Sequence, residues 1–510
     1  MTDPAHSLHM QKSVNRGLAW IGIASSLVGV LDVVATLLIL NFWISTDEYG
    51  VVTKCIWIFP ILDVATDLST AVVQHEEYDA RTTSAVFWFN IGTAVALFGL
   101  IVLAAPFAAA FYEHAVVGSM LIAYGTKLIW QNVYLMPMAL MKRELRFKEL
   151  SVIRVIANVV EFGVKIGFAA GGWGIWCFVL GPLARGVVTA IGVQICHPWL
   201  PQLNLKFRET KSHIMFGMRT SGSQLLFHLY TNLDYPVVGY YFGDYWLGIY
   251  RLAYEVVLEP VRIISAVVVD IAFPAFAKMR HKKDRLVLQL ISFTRLNLIT
   301  VMMYSAVVFV AAEELLLVVF PTYTDAADAV RILCIVAIVR AISYVLPPLL
   351  DGIGMPHRTF VYSLVAAIML PALFVVSAVV LRDQLGMLSV AVAWAVGYPI
   401  AFLVLLWLSV QSIGWTVGGY LKSIAGVALC MIGGALVGAG MHWLLGDFAP
   451  VVRLGGSAGA IVASTGLLLA YTQGISIRST LKSMKNDPLP TETPPTGLPV
   501  IGDVSKIDPP

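Results

Sequence analysis

Apolar runs of about 20 residues recur from Leu18 to Ala470, separated by short polar turns. Each is long enough to cross the roughly 30 Å hydrocarbon core of a bilayer. The pattern gives about fourteen spans, at 17–42, 50–74, 85–108, 115–138, 151–171, 174–196, 216–241, 246–275, 290–313, 327–351, 359–381, 387–409, 418–444 and 452–473. No polar stretch between them is long enough for a soluble domain. The chain therefore reads as an all-α polytopic membrane protein. The first apolar run, from Gly17 to Trp43, is too long for a cleavable signal segment. The tail from about Asp487 is proline-rich, has no periodicity and is expected to be disordered.

Loop charge orients the spans. The odd-numbered loops hold only Arg382 and Arg453, whereas the opposite face, with both tails, holds 21 lysines and arginines. Among these are Lys142, Arg143, Arg146 and Lys148, and then Lys278, Arg280, Lys282, Lys283 and Arg285. By the positive-inside rule the even-loop face and both termini are cytoplasmic.

Composition agrees: 58% of the 510 residues are hydrophobic and 13% charged, against about 25% charged in soluble domains. Cys55, Cys177, Cys196, Cys334 and Cys430 are scattered without metal-ligand spacing and read as small buried hydrophobes. No GxxxxGK[ST], HExxH, GxSxG or CxxC motif occurs. His197, His213, His228 and His442 are isolated. The longest odd-numbered loop, near Glu314 to Asp325, is too short to house a catalytic site. The expectation is a non-enzymatic chain with no cofactor, no metal and no nucleic-acid partner.

A weak internal repeat appears at an offset of about 200–210 residues. Tyr49-Gly50 leads span two much as Leu247-Gly248-Ile249-Tyr250 leads span eight; Pro137 matches Pro347; Gly172-Trp173-Gly174 and Gly386 precede spans six and twelve. An offset of six spans preserves topology, so the repeats are parallel. The organisation expected is a tail (1–16), an N-lobe of six spans (17–197), a basic linker (198–215) and a C-lobe of six spans (216–410). Two extra spans (411–474) and a proline-rich tail (475–510) follow. The lobes would face each other across a central cavity.

Eleven of the 34 lysines and arginines fall inside spans: Lys54, Lys127, Arg154, Lys165, Arg185, Arg219, Arg251, Arg262, Arg295, Arg331 and Arg340. A cation at mid-bilayer costs roughly 2.5–3.5 kcal/mol on insertion scales, so this many point to a polar conduit. Span eight carries Arg251, Glu255, Glu259 and Arg262 in steps of four, four and three, one polar stripe, with Pro260 beside it. Span two carries Lys54, Pro60, Asp63 and Asp67; the two carboxylates share a helix face and Lys54 lies on the other. Lys54, Arg219, Asp234, Arg251, Arg262 and Arg340 are the candidate cavity residues. Asp63, Asp67, Glu255 and Glu259 are candidates for charge pairing or ion coupling. Glu161 and Lys165 read as a self-neutralising pair, and Arg154, Arg185 and Arg331 as cations that snorkel from span ends. The mixed lining, with a modest cationic excess, suits a polar substrate with anionic groups.

The chain resembles the Wzx-type polysaccharide-transport flippases of the multidrug/oligosaccharidyl-lipid/polysaccharide exporter superfamily, from about Asn15 to Val410. The resemblance is carried by Asp47-Glu48-Tyr49-Gly50, by Pro137-Met138-Ala139-Leu140-Met141-Lys142-Arg143-Glu144-Leu145-Arg146-Phe147, by Gly172-Trp173-Gly174, by Asp234 with Gly239, Gly243, Leu247-Gly248 and Tyr250, and by Phe273-Pro274-Ala275-Phe276. It implies an inner-membrane flippase for undecaprenyl-diphosphate-linked oligosaccharide, working among membrane lipids beside a polysaccharide polymerase and chain-length proteins. A multidrug or cation antiporter of the same superfamily stays open as an alternative, as does a membrane enzyme of glycan polymerisation.

Overall fold

The computed structural model describes residues 31–66, 80–144, 146–202 and 211–474, with Trp20, Ala24 and 27–29 ahead of them; for 80–82 and 211–221 only the backbone is described. Asp67, linker residues 203–210 and the tail from 475 lie outside the described residues, as does the start of span one. Every predicted span falls mostly on helix where it is described, with short turns inside some of them, and no strand occurs among the described residues. Nine helical stretches there are long and apolar enough to cross a membrane, and one, Phe147–Cys196, covers two predicted spans.

The helices are α1 (31–42), α2 (Thr46–Ile56), α3 (Phe59–Thr66), α4 (Ala80–Phe111), α5 (Ala115–Gly125), α6 (Lys127–Arg143), α7 (Phe147–Phe168) and α8 (Cys177–Cys196) in the N-terminal half. The C-terminal half has α9 (Lys211–Asn232), α10 (Asp234–Tyr241), α11 (Gly243–Met279), α12 (Lys283–Val310), α13 (Ala312–Val319), α14 (Ala327–Ser343), α15 (Leu346–Gly352), α16 (Pro356–Val380) and α17 (Leu388–Ser412). A hairpin of α18 (Val417–Leu444) and α19 (Pro450–Gln473) follows.

Span two is not one continuous helix, and the reason is local. Pro60 has no N–H to give to Ile56, so α2 ends there and α3 restarts after Trp57 and Ile58. The helical arithmetic that set Lys54 opposite Asp63 therefore does not apply across this break. In contrast, α11 runs unbroken through Pro260 and Pro274.

The repeat has a backbone signature. Gly174, before α8, has φ 51° and ψ −127°; Gly386, before α17, has φ 53° and ψ −135°. Residues with a Cβ rarely adopt this conformation, so the two turns that enter spans six and twelve need glycine for the same reason.

Packing is mostly within each half: α4 with α5 and α6, and α7 with α8, on one side; α16 with α17, and α14 with α12 and α17, on the other. The halves meet chiefly where α2 lies on α11, with a second contact of α3 on α9. The hairpin packs on α12 and α13, within the C-terminal half. There the buried Glu314 of α13 takes His442 Nε2 at 2.9 Å and Arg453 Nη2 at 2.7 Å. This accounts for one of the two cations in the odd-numbered loops: Arg453 is held by a carboxylate. Glu314→Ala leaves His442 and Arg453 without it, and the expected result is faster proteolytic cleavage of the 445–449 turn at unchanged expression; wild-type protection would refute the clasp.

Candidate functional site

A serine–glutamate exchange fixes where α2 begins. Ser45 Oγ accepts from Glu48 N at 3.3 Å, and Ser45 N donates to Glu48 Oε2 at 2.9 Å. That start places Gly50 against α11, and the contact is reciprocal. A Cβ on Gly50 would lie 2.0 Å from the Asp244 carbonyl oxygen; a Cβ on Gly248 would lie 2.1 Å from that of Thr46. Each glycine meets a residue four positions before the other, as a local two-fold requires. The seam closes the odd-loop end of the interface. Beside it, Asp244 Oδ1 takes Lys54 Nζ at 2.5 Å and Oδ2 takes His114 Nε2 at 2.6 Å. Asp244 is thus the cross-half partner of both side chains.

The span-eight stripe runs down α11 from this seam and neutralises itself in pairs. Arg251 grips Glu255 Oε1 through Nε (2.9 Å) and Nη2 (2.7 Å), while its Nη1 donates to Tyr235 Oη at 2.9 Å. Arg262 grips Glu259 Oε2 at 2.9 and 2.7 Å. Side-chain exposure rises along the stripe: 18% for Arg251, 22% for Glu255, 35% for Glu259 and 56% for Arg262. The stripe is thus closed at the odd-loop end and progressively accessible toward the even-loop end.

Charges of the N-terminal half face it. Asp32 is close enough to feel Lys165, Glu161, Arg185 and, across the interface, Glu255. His228 of α9 feels Arg262 and Glu259 of its own half and Asp63 of the other. Asp63 Oδ2 accepts from Lys127 Nζ at 2.6 Å. Glu161, buried, takes Lys165 Nζ at 2.8 Å and Arg185 Nη1 at 2.9 Å. The expected Glu161–Lys165 pair is present with a third member: Arg185 does not snorkel but turns inward to this carboxylate. Arg331 is also engaged, with Glu313 at 2.8 Å and Asp328 at 3.2 Å; Glu313 and Asp328 line an odd-loop cleft of about 800 Å³ together with Phe242 and Trp246.

Two candidates sit deep in the C-terminal half. Asp234 is fully buried and accepts from Tyr250 Oη at 2.7 Å, Trp394 Nε1 at 2.9 Å and Tyr235 N at 3.0 Å. Arg340, 3% exposed, donates to Tyr254 Oη at 2.9 Å and lies among the rings of Trp394 (4.4 Å), Tyr398 (5.3 Å) and Tyr254 (5.6 Å). In this conformation Asp234, Arg340 and Lys54 face protein groups rather than an open cavity. Arg219 lies on α9, and its side chain is outside the described residues. No group of histidine, cysteine, aspartate and glutamate with metal-binding geometry occurs among the described residues.

The family model described as "Polysaccharide biosynthesis protein" matches residues 39–328, more than half of the chain. The chain belongs to the polysaccharide biosynthesis protein family. Its similarity to other members spans most of their length. It is 25% identical over 426 residues to the teichuronic acid biosynthesis protein TuaB of Bacillus subtilis (strain 168), covering 81% of this chain and 86% of that one. It is 21% identical over 351 residues to the lipopolysaccharide biosynthesis protein WzxC of Escherichia coli (strain K12), covering 66% and 69%. In fold, this member of the family is similar to the lipid II flippase MurJ in an inward closed conformation, with TM-score 0.70, 12% identity and coverage of 88% and 98%. An inward-facing multidrug resistance MATE transporter of the MOP superfamily follows at TM-score 0.57 and 14% identity, with coverage of 79% and 99%. The Wzx-type resemblance is borne out. This member of the family is a multi-pass, helical membrane protein with the fold of those two transporters.

Proposed function

We propose that the chain is an inner-membrane flippase. It would carry undecaprenyl-diphosphate-linked oligosaccharide from the cytoplasmic to the periplasmic leaflet, by alternating access, for export of a cell-surface polysaccharide. The observation that carries this reading is the charged interface between the halves, sealed at the odd-loop end and increasingly accessible along Arg251, Glu255, Glu259 and Arg262. A sugar-diphosphate headgroup needs a hydrogen-bonding route with cations for its phosphates, while its lipid tail stays in the bilayer. The lobes 17–197 and 216–410 are the bodies that rock, and both termini are cytoplasmic. Hand-over to a polymerase and chain-length proteins follows on the far side.

The test is flipping in proteoliposomes of a fluorescent lipid-linked oligosaccharide, read by accessibility of the sugar to an external lectin. Arg262, the most exposed cation of the stripe, is the residue to change. Losing one charge-assisted hydrogen bond of about 1.5–3 kcal/mol lowers the rate roughly tenfold or more in Arg262→Ala. No flipping by the wild type, with a cationic dye carried instead, would favour the antiporter.

A further inference from the structure

The latch at the seam is asymmetric in a way that pairing alone does not require. Lys54 belongs to α2 and His114 is the N-cap of α5, so both donors come from the N-terminal half. Lys54 is 5% exposed, with its ammonium 5.0 Å from the centroid of the Tyr112 ring, also of that half. Their shared anion comes from the other half, in the first turn of α11. The two donors are thus positioned by their own body, one on each oxygen of a carboxylate that the opposite body delivers. When α2 and α11 part, Asp244 leaves with α11. A buried ammonium without a counter-ion is costly, so the vacated pair favours another anion with two adjacent oxygens.

We propose that Lys54 and His114 form an exit-side site for a diphosphate group, masked by Asp244 while the seam is closed. The inference rests on the flippase reading and adds to it a place where the headgroup's diphosphate pauses after the seam opens. Diphosphate fits the pair: it carries more than one negative charge, the Lys54 ammonium gives it a charge-assisted bond, and the His114 ring N–H can donate a second. Asp244 then competes with the substrate, and the seam recloses when the diphosphate leaves. The close backbone approach at Gly50 and Gly248 brings Asp244 within reach of both donors when the seam is shut.

The test is calorimetric titration of the purified full chain in nanodiscs with inorganic pyrophosphate and with farnesyl diphosphate. Asparagine keeps the shape of Asp244 and removes the competing charge. Asp244→Asn should bind at least tenfold more tightly than wild type, and adding Lys54→Gln and His114→Gln should abolish the gain. A gain for both ligands identifies a receptor for diphosphate itself; a gain for farnesyl diphosphate alone identifies a lipid-headgroup site. No gain with either ligand, or a gain that survives loss of both donors, overturns the proposal. A second measurement avoids Asp244→Asn. Spin labels at the exposed Val116 and Leu385, one in each half, should move apart when pyrophosphate is added to otherwise wild-type protein. They should not do so in Lys54→Gln/His114→Gln; an unchanged distance in both overturns the site. Neither readout involves transport. A chain that flips lipid-linked oligosaccharide but fails here loses only the diphosphate site, and one that passes here but flips nothing loses the flippase reading.

Discussion

Gly248→Val should reduce flipping at least tenfold while leaving the amount of protein in the membrane unchanged. The Cβ would sit 2.1 Å from the Thr46 carbonyl oxygen, with the Thr46 carbonyl carbon at 3.0 Å. These are backbone atoms of another helix, so no side chain can swing aside; α2 and α11 must separate by about an ångström or more. Overpacking of this kind costs roughly 1–3 kcal/mol, and every 1.4 kcal/mol moves a two-state population about tenfold. The cost falls on the closed seam alone, so the transporter is held away from that state and cannot reset. The clash is at Cβ, so Gly248→Ala should already show most of the loss, and Gly50→Ala should match it from the other side of the crossing. Quantitative immunoblotting with the lectin assay checks this. Normal flipping by Gly248→Val would remove the seam from the mechanism.

The largest stability effect is expected from Glu161→Ala. Its carboxylate is 2% exposed and serves Lys165 and Arg185 together. Its removal strands two cations within a helix pair, and breaking a buried pair by deleting one partner costs roughly 3–5 kcal/mol. The melting temperature of the purified chain should fall well below that of Lys165→Ala, in which Arg185 still neutralises Glu161. Equal melting of the two variants would mean that Glu161 is not the hub. The double change Glu161→Gln with Lys165→Met should recover part of the loss, because it removes a cation together with its anion.

The spans were legible because hydropathy is a property of consecutive residues; where described, each predicted span lies mostly on helix. The repeat was legible at Gly50 and Gly248 and at the glycines before spans six and twelve, where backbone geometry admits little else. What could not be read was which charge meets which. Helical spacing found Arg251 with Glu255 and Glu161 with Lys165, partners within one turn. It could not find Lys54 with Asp244, Glu161 with Arg185 or Glu314 with Arg453, since those pairings depend on how separate helices are placed. The same limit misjudged Arg185, whose position near a span end fits snorkelling equally well. Pro60 was counted within span two as one helix, so the relation of Lys54 to Asp63 was drawn on a helix that does not continue.

The Glu314 clasp has a practical bearing on how motion in this protein can be watched. His442 and Arg453 tie the last two helices to α13, so this hairpin is a passenger of the C-terminal half. A fluorophore fused just beyond Gly474 therefore reports the orientation of that half without touching the interface, and a second dye at the exposed Leu200, just after α8, gives a point on the other. Energy transfer between them would follow single molecules through the cycle.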